Sequence, residues 1–184
     1  PVPMCFHPPS FEGDMKRIEG RAKTIRELMG RTKFAIDFYQ REYAWKERQV
    51  RELIDDLTNK FLDFYKPEHP RSRVKTYGHY FLGSVVISHK DDKRFIVDGQ
   101  QRITTLTLLL IHLHHLQADR SGGIDVRSLV FSEEYGERSF NLNVPDRNAV
   151  MRDLLEGRET NLQGQSESVV NIAERAAYLA SHFP

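Results

Sequence analysis

Arg94-Phe95-Ile96-Val97-Asp98-Gly99-Gln100-Gln101-Arg102-Ile103-Thr104-Thr105-Leu106 spells a short strand, a polar turn and the opening of a helix. Arg94 to Val97 has the apolar, β-branched content of a strand. Asp98-Gly99 breaks it, because glycine accepts backbone angles that other residues avoid. From Ile103 to Leu116, the apolar residues Ile103, Leu106, Leu109 or Leu110, Leu113 and Leu116 recur at helical spacing. The polar cluster Asp98, Gly99, Gln100, Gln101, Arg102, Thr104 and Thr105 therefore falls at a helix N-terminus. Backbone N–H groups lack intrahelical partners there and the helix dipole is positive, so the place suits an anion, phosphate above all. A plainer reading uses the same residues: Asp98 caps the helix, Gly99 makes the turn and Arg102 pairs with a surface carboxylate.

A second informative stretch, Asp37-Phe38-Tyr39-Gln40-Arg41-Glu42-Tyr43-Ala44-Trp45, follows the strand-like Lys33 to Ile36. Phe38, Tyr43 and Trp45 suit a core. Tyr39-Gln40-Arg41 is not core chemistry. Arginine offers a planar fork of donors matched to phosphate, and a glutamine amide can read a base edge or a ribose.

The composition narrows the choices. At 184 residues the chain can form one domain, or a domain and part of a second. Its 27 Lys and Arg against 26 Asp and Glu leave a net charge of +1, so any contact with DNA must come from a local patch. Lys66, Arg71, Arg73 and Lys75, in a patternless loop over 66–76, are candidates for one. The single cysteine, Cys5, excludes an internal disulfide and a cysteine-based zinc cluster, and fits a reducing cytoplasm. The apolar run Leu108 to Ile111 stops at His112, far short of a membrane span, and the N-terminus lacks a signal-peptide layout. His112, His115 and Asp119 share a helical face that could hold a metal, but histidines are also favoured near helix C-termini, and no HExxH pattern is present. Asp55 and Asp56 point about 100° apart on a helix and cannot easily share one ion; Asp56 is kept as a minor site candidate.

Asp98-Gly99-Gln100-Gln101-Arg102 followed by Ile103-Thr104-Thr105-Leu106 resembles the signature of the DGQQR family, known as domain of unknown function 262. This family forms the N-terminal domain of GmrSD-type, modification-dependent restriction systems, and is distantly similar to the ParB and sulfiredoxin-like superfamily. Tyr39-Gln40-Arg41-Glu42-Tyr43-Ala44-Trp45 resembles the family's other motif, with Asp37 where the family often has proline. The resemblance covers roughly residues 24–184, but only these two motifs are specific.

It implies an α+β fold, ParB/sulfiredoxin-like, with a small mixed sheet packed by helices and a helical C-terminal extension. On this reading 1–13 is a flexible arm, 14–145 the DGQQR domain, and 146–184 the start of a truncated C-terminal region. The resemblance further implies a turn that cradles a nucleoside triphosphate. Arg102 and the N–H groups after Gly99 would neutralise phosphate, with Thr104 and Thr105 giving hydroxyls to phosphate or metal. Asp98 would hold Mg²⁺ or another divalent cation, position a water or orient Arg102. Gln100 and Gln101 would orient the attacking water, making Asp98, Gln100, Gln101 and Arg102 the catalytic set. Tyr39, Gln40 and Arg41 would add a second clamp on the nucleotide.

The implied function is a nucleotide-binding, NTP-hydrolysing regulatory domain of a cytoplasmic bacterial restriction or phage-defence system. Its partners would be DNA, with or without modified bases, and an HNH-type nuclease domain or subunit absent from this chain. The alternatives are a ParB-like DNA- or nucleotide-binding module without turnover, and a metal-dependent DNA nuclease.

The remaining patterns predict a helix over Met15 to Met29, an amphipathic helix over Lys46 to Tyr65, and a strand over Tyr77 to Ile87. A turn over His89 to Lys93 would follow. Strands are expected over Val126 to Phe131 and Ser139 to Val144, and helices over Asp146 to Glu156 and Ser166 to Ser181.

Overall fold

The computed structural model describes residues 18–30, 32–36, 42–134 and 136–183. The architecture is mixed α+β. A four-stranded sheet has the order β2-β3-β1-β6, with β1 at Phe34–Ile36, β2 at Val86–Lys90, β3 at Lys93–Asp98 and β6 at Leu142–Asn143. Strand β1 runs parallel to β3, with Phe34 opposite Arg94 and Ile36 opposite Ile96, and parallel to β6, with Phe34 opposite Leu142. Strand β2 returns antiparallel to β3. Its turn is Asp91-Asp92, both in the left-handed region at φ 49° and 58°, as a two-residue hairpin turn requires and as Asp tolerates. A separate hairpin, β4 (Phe131–Glu134) and β5 (Glu137–Phe140), pairs Phe131 with Phe140.

The helices are α1 (Ile25–Met29), α2 (Glu47–Leu62), α3 (Gln100–Leu116), α4 (Asn148–Leu155) and α5 (Glu167–His182). Helix α3 is central. Every residue from Ile103 to Ile111 is buried, with α5, β6 and the 3-10 turn Arg127–Leu129 packed around it. The sequence spacing suggested one apolar face; instead the helix is enclosed on all sides. Its threonines tolerate this because their hydroxyls are satisfied. Thr105 Oγ1 donates to the Gln101 carbonyl at 3.0 Å and Thr107 Oγ1 to the Ile103 carbonyl at 2.9 Å. Helix α5 buries Val169, Ile172 and Leu179 in the same core as the strands.

Asn141 stands between β5 and β6 and is 1% exposed. Its Nδ2 donates to the carbonyls of Met29 and Ser128, each at 2.9 Å. Its Oδ1 accepts from Ser132 Oγ at 2.6 Å and Lys33 Nζ at 3.4 Å. One side chain thus ties α1, β1, the 3-10 turn and the β4–β5 hairpin together.

Several sequence expectations change here. The helix expected from Met15 is confined, among the described residues, to α1. Thr24 and Glu27 form a capping box that starts it, and residues 18–24 are exposed with no core to face. The strand expected from Tyr77 begins only at Val86. Residues 77–85 form a strap outside the sheet, and the strand then extends through His89 and Lys90, expected as turn. The loop over 66–76 contains a 3-10 helix at Arg71–Thr76. The strand expected at Val126 starts at Phe131, and the one expected over Ser139 to Val144 is split at Asn141. No helix among the described residues is long and apolar enough to cross a membrane.

Candidate functional site

Strand β3 delivers Asp98 to the carboxyl end of the sheet. Gly99 then takes φ 89°, ψ 7° and caps α3 without any side-chain hydrogen bond, and the first helical turn carries no acidic residue. A Cβ on Gly99 would lie 3.1 Å from Val85 Cγ2, so the strap packs directly against this turn. The first turn of α3 therefore presents its N–H ends beside a pocket of about 520 Å³ lined by Glu42, Trp45, Val97, Asp98, Gly99, Gln100, Gln101 and Arg102. Five consecutive residues of the DGQQR motif, Asp98 to Arg102, line one cavity.

Their side chains do different things. Gln101 is a clamp. Its Oε1 accepts from the Ala44 N–H at 2.9 Å and its Nε2 donates to the Glu42 carbonyl at 2.6 Å. Both ends of the amide are thus engaged with the 42–44 backbone, which holds Glu42 and Trp45 on the pocket wall. Gln100 turns back on β3, donating to the Val97 carbonyl at 3.0 Å. Arg102 Nη1 donates to the Ser84 carbonyl at 3.1 Å, and among the described residues no carboxylate pairs with the guanidinium. Its charge is left to the pocket, whereas the plainer reading paired it with a carboxylate. Asp98 is exposed at the pocket edge.

Thr104 and Thr105 are each 0% exposed. Thr104 Oγ1 accepts from Arg147 at 3.4 Å, and Thr105 Oγ1 is 2.9 Å from the Tyr43 hydroxyl. These hydroxyls, expected to meet phosphate or metal, face the core. Tyr39, Gln40 and Arg41 lie outside the described residues. Ile36 before them is at the carboxyl end of β1, beside Ile96, and Glu42 after them lines the pocket.

Tyr43 is 1% exposed. Its backbone N–H donates to Ser168 Oγ at 2.9 Å, and its carbonyl accepts from Asn171 Nδ2 at 3.0 Å, so α5 also braces the pocket wall. Burial pushes its phenol pKa up, against the opposing effects of the Thr105 hydrogen bond and the Arg175 and Arg147 charges. Folding therefore favours the neutral phenol. That contribution is complete below the unfolded pKa of about 10 and is lost as pH rises through the folded value. Tyr43→Phe, which cannot ionise, is expected to lose melting temperature less steeply than wild type above about pH 10 in a thermal-melt series. Equal slopes would contradict the assignment.

The strap supplies features that sequence reasoning missed. Gly83 has φ 95°, and a Cβ there would sit 3.0–3.1 Å from the Arg102 guanidinium. The group that comes close to the Gly83 backbone is thus the Arg102 guanidinium. Tyr80 donates to Asp56 Oδ2 at 2.6 Å, a bond that raises the phenol pKa and fixes the strap on α2. The glycine in a strand-like run was the only sequence signal of this packing. Gly83→Ala is expected to cost about 1–2 kcal/mol in backbone strain. That corresponds to a fall in Tm of about 2–8 °C by calorimetry, with the Arg102–Ser84 bond displaced. An unchanged Tm would contradict this packing.

The histidines of α3 do not gather around a metal. His112 Nε2 is 2.5 Å from the Phe183 carbonyl and His115 Nε2 is 2.8 Å from the Leu154 carbonyl, so they join α3 to the end of α5 and to α4. Among the described residues no group of three or more His, Cys, Asp or Glu side chains is placed to hold an ion. Glu42 and Asp98 nevertheless give the pocket two hard oxygen donors. That suits Mg²⁺, which is commonly held by one or two carboxylates together with substrate phosphates.

Residues 25–179 match the family described as GmrSD restriction endonuclease, N-terminal domain. No curated protein matches the chain significantly.

Proposed function

The chain belongs to the GmrSD restriction endonuclease N-terminal domain family, which makes it a component of a restriction and phage-defence system, and on that premise we propose that it binds a nucleoside triphosphate at the Asp98–Arg102 turn and regulates a partner nuclease through it. The observation that carries this reading is Arg102. It is a cation without a described carboxylate partner, one turn into a glycine-capped helix, on the wall of an open pocket. A helix N-terminus and a guanidinium together provide the donors that phosphate oxygens accept. Glu42 and Asp98 would repel a bare triphosphate, so the nucleotide enters as its Mg²⁺ complex. Mg²⁺ would neutralise phosphate charge there and polarise the terminal phosphoryl group.

Hydrolysis of the triphosphate, coupled to a nuclease domain of HNH type that acts on modified DNA, is the fuller form of this proposal. Binding without turnover is a second reading, favoured by the clamp role of Gln101. An amide bonded at both ends to backbone is held in place and keeps one donor and one acceptor site, so it is poorly free to turn toward an attacking water. Asp98 and Glu42 are the acidic pocket residues that could position one. Phosphate release measured with ATP, GTP, CTP and UTP, with and without Mg²⁺, separates the two. Release supports hydrolysis. A thermal shift without release supports binding alone. Neither response with any nucleotide, from a sample that melts cooperatively, overturns the nucleotide proposal.

A further inference from the structure

The apolar stripe of helix α2 continues through the turn that follows it, past the edge of the core. Val50, Leu53 and Ile54 are buried, but Phe61 is 42% exposed, Phe64 38% and Tyr65 43%. These rings form a shelf with Tyr77. Phe61 stacks on Tyr65 with centroids 5.1 Å apart and planes at 25°, and Phe64 stacks on Tyr77 at 5.9 Å and 24°. Phe61 and Tyr77 join the two stacks at 5.6 Å. Aromatic groups this large normally finish inside a core. Here they are organised, yet open to solvent.

Positive charge flanks the shelf along the chain, and Lys60 Nζ lies 4.9 Å from the Phe64 ring centroid. Residues 60–77 hold five Lys and Arg against two Asp and Glu, in a chain that is otherwise almost balanced. Every residue of the 3-10 helix Arg71–Thr76 is exposed. Lys66, Arg73 and Lys75 form no ion pair among the described residues. Arg71 donates to the Gly122 carbonyl, which pins this turn to the loop after α3.

We propose that this aromatic shelf and its basic rim bind single-stranded or locally opened DNA, with unstacked bases on the rings and phosphates on Lys66, Arg73 and Lys75. Rings offer every base a stacking partner whatever the sequence, and unpaired cations release counterions on meeting phosphates. A purely electrostatic surface would need no rings, and a purely apolar docking face would not lie in a segment rich in unpaired cations. The inference rests on the restriction-system reading for why the partner is DNA. It does not rest on a nucleotide at the Arg102 pocket, so it is measured in nucleotide-free buffer.

The test is fluorescence anisotropy of the whole chain with a labelled oligothymidylate of about 20 nucleotides, and with a duplex of equal length, across a salt series. Wild type is expected to prefer the single strand. Arg73→Glu with Lys75→Glu is expected to weaken binding about tenfold or more and to flatten the salt dependence. Phe61→Ala with Tyr65→Ala, in a sample whose cooperative melt shows that it is folded, is expected to weaken it about five- to tenfold. The same ring variant should leave capture by heparin unchanged. Lys90→Glu with Lys93→Glu, at the tip of the β2–β3 hairpin, controls for general charge and should change binding less than about twofold.

Three results would overturn the proposal: no oligonucleotide binding by a cooperatively melting sample, oligonucleotide binding insensitive to the ring variant, or capture by phosphatidylglycerol vesicles but not by DNA. A nucleotide-insensitive protein that still binds the strand through these residues would sink the pocket proposal and leave this one standing.

Discussion

Arg102→Ala is expected to weaken binding of a Mg²⁺–nucleoside triphosphate about ten- to hundredfold, measured by isothermal titration. A charge-assisted hydrogen bond contributes about 1.5–3 kcal/mol, and each 1.4 kcal/mol is about a factor of ten in affinity. The fold should survive. The described hydrogen bond of the guanidinium goes to the Ser84 carbonyl at an exposed position, where competition with water holds its contribution to stability to about 0.5–1.5 kcal/mol. That predicts a shift in Tm of no more than about 6 °C. Arg102→Lys keeps the charge but loses the planar fork, so its affinity should fall between alanine and wild type. Wild-type affinity in the alanine variant would show that this cation does not meet the ligand.

The largest effect on stability is expected from Asn141→Ala. The buried amide serves two backbone carbonyls, a serine hydroxyl and a lysine. Alanine leaves the buried Met29 carbonyl and the partly buried Ser128 carbonyl without this donor and removes an acceptor from Ser132. Stranded buried groups cost about 1–3 kcal/mol each, and members of one network are not independent, so the total should be about 3–4 kcal/mol. For a chain of this size that is a fall in Tm of about 6–15 °C, measurable by calorimetry. A loss under about 1 kcal/mol would mean that the hub is filled by water or relaxes at little cost.

The strand–turn–helix around Asp98-Gly99 was legible because each part has a local cause. β-Branched residues, a glycine at positive φ and a helical repeat follow one another within a few residues. The motif's assembly into one pocket was legible too, since Asp98 to Arg102 are consecutive. What their side chains do was not. Gln101 looked like a reagent and serves as a clamp on Glu42 and Ala44. Thr104 and Thr105 looked like phosphate ligands and are core residues, because α3 is enclosed on every side by elements distant in sequence. Tyr43 looked like ordinary core and is a bolt between α3 and α5.

Asn141 gave no signal at all. It sits in a strand-like run, and its four partners come from segments whose meeting only tertiary structure reveals. The strap over 77–85 read as a strand for a related reason. Its composition suits a sheet, but the Ser84 carbonyl accepts from Arg102 of α3 and the Tyr80 hydroxyl is tied to Asp56 of α2, contacts made by helices rather than by a neighbouring strand. The stripe on α2 was legible as far as Phe64, while the sequence could not say where the core beneath it stops.

Hydrogen exchange of the backbone amides, with and without a saturating Mg²⁺–nucleoside triphosphate, tests the central claim most directly. The account predicts new protection at the amides of Gln100, Gln101 and Arg102, where helix α3 begins. Nucleotide-dependent protection confined to another face, such as the Lys33–Arg94 end of the sheet, would contradict it.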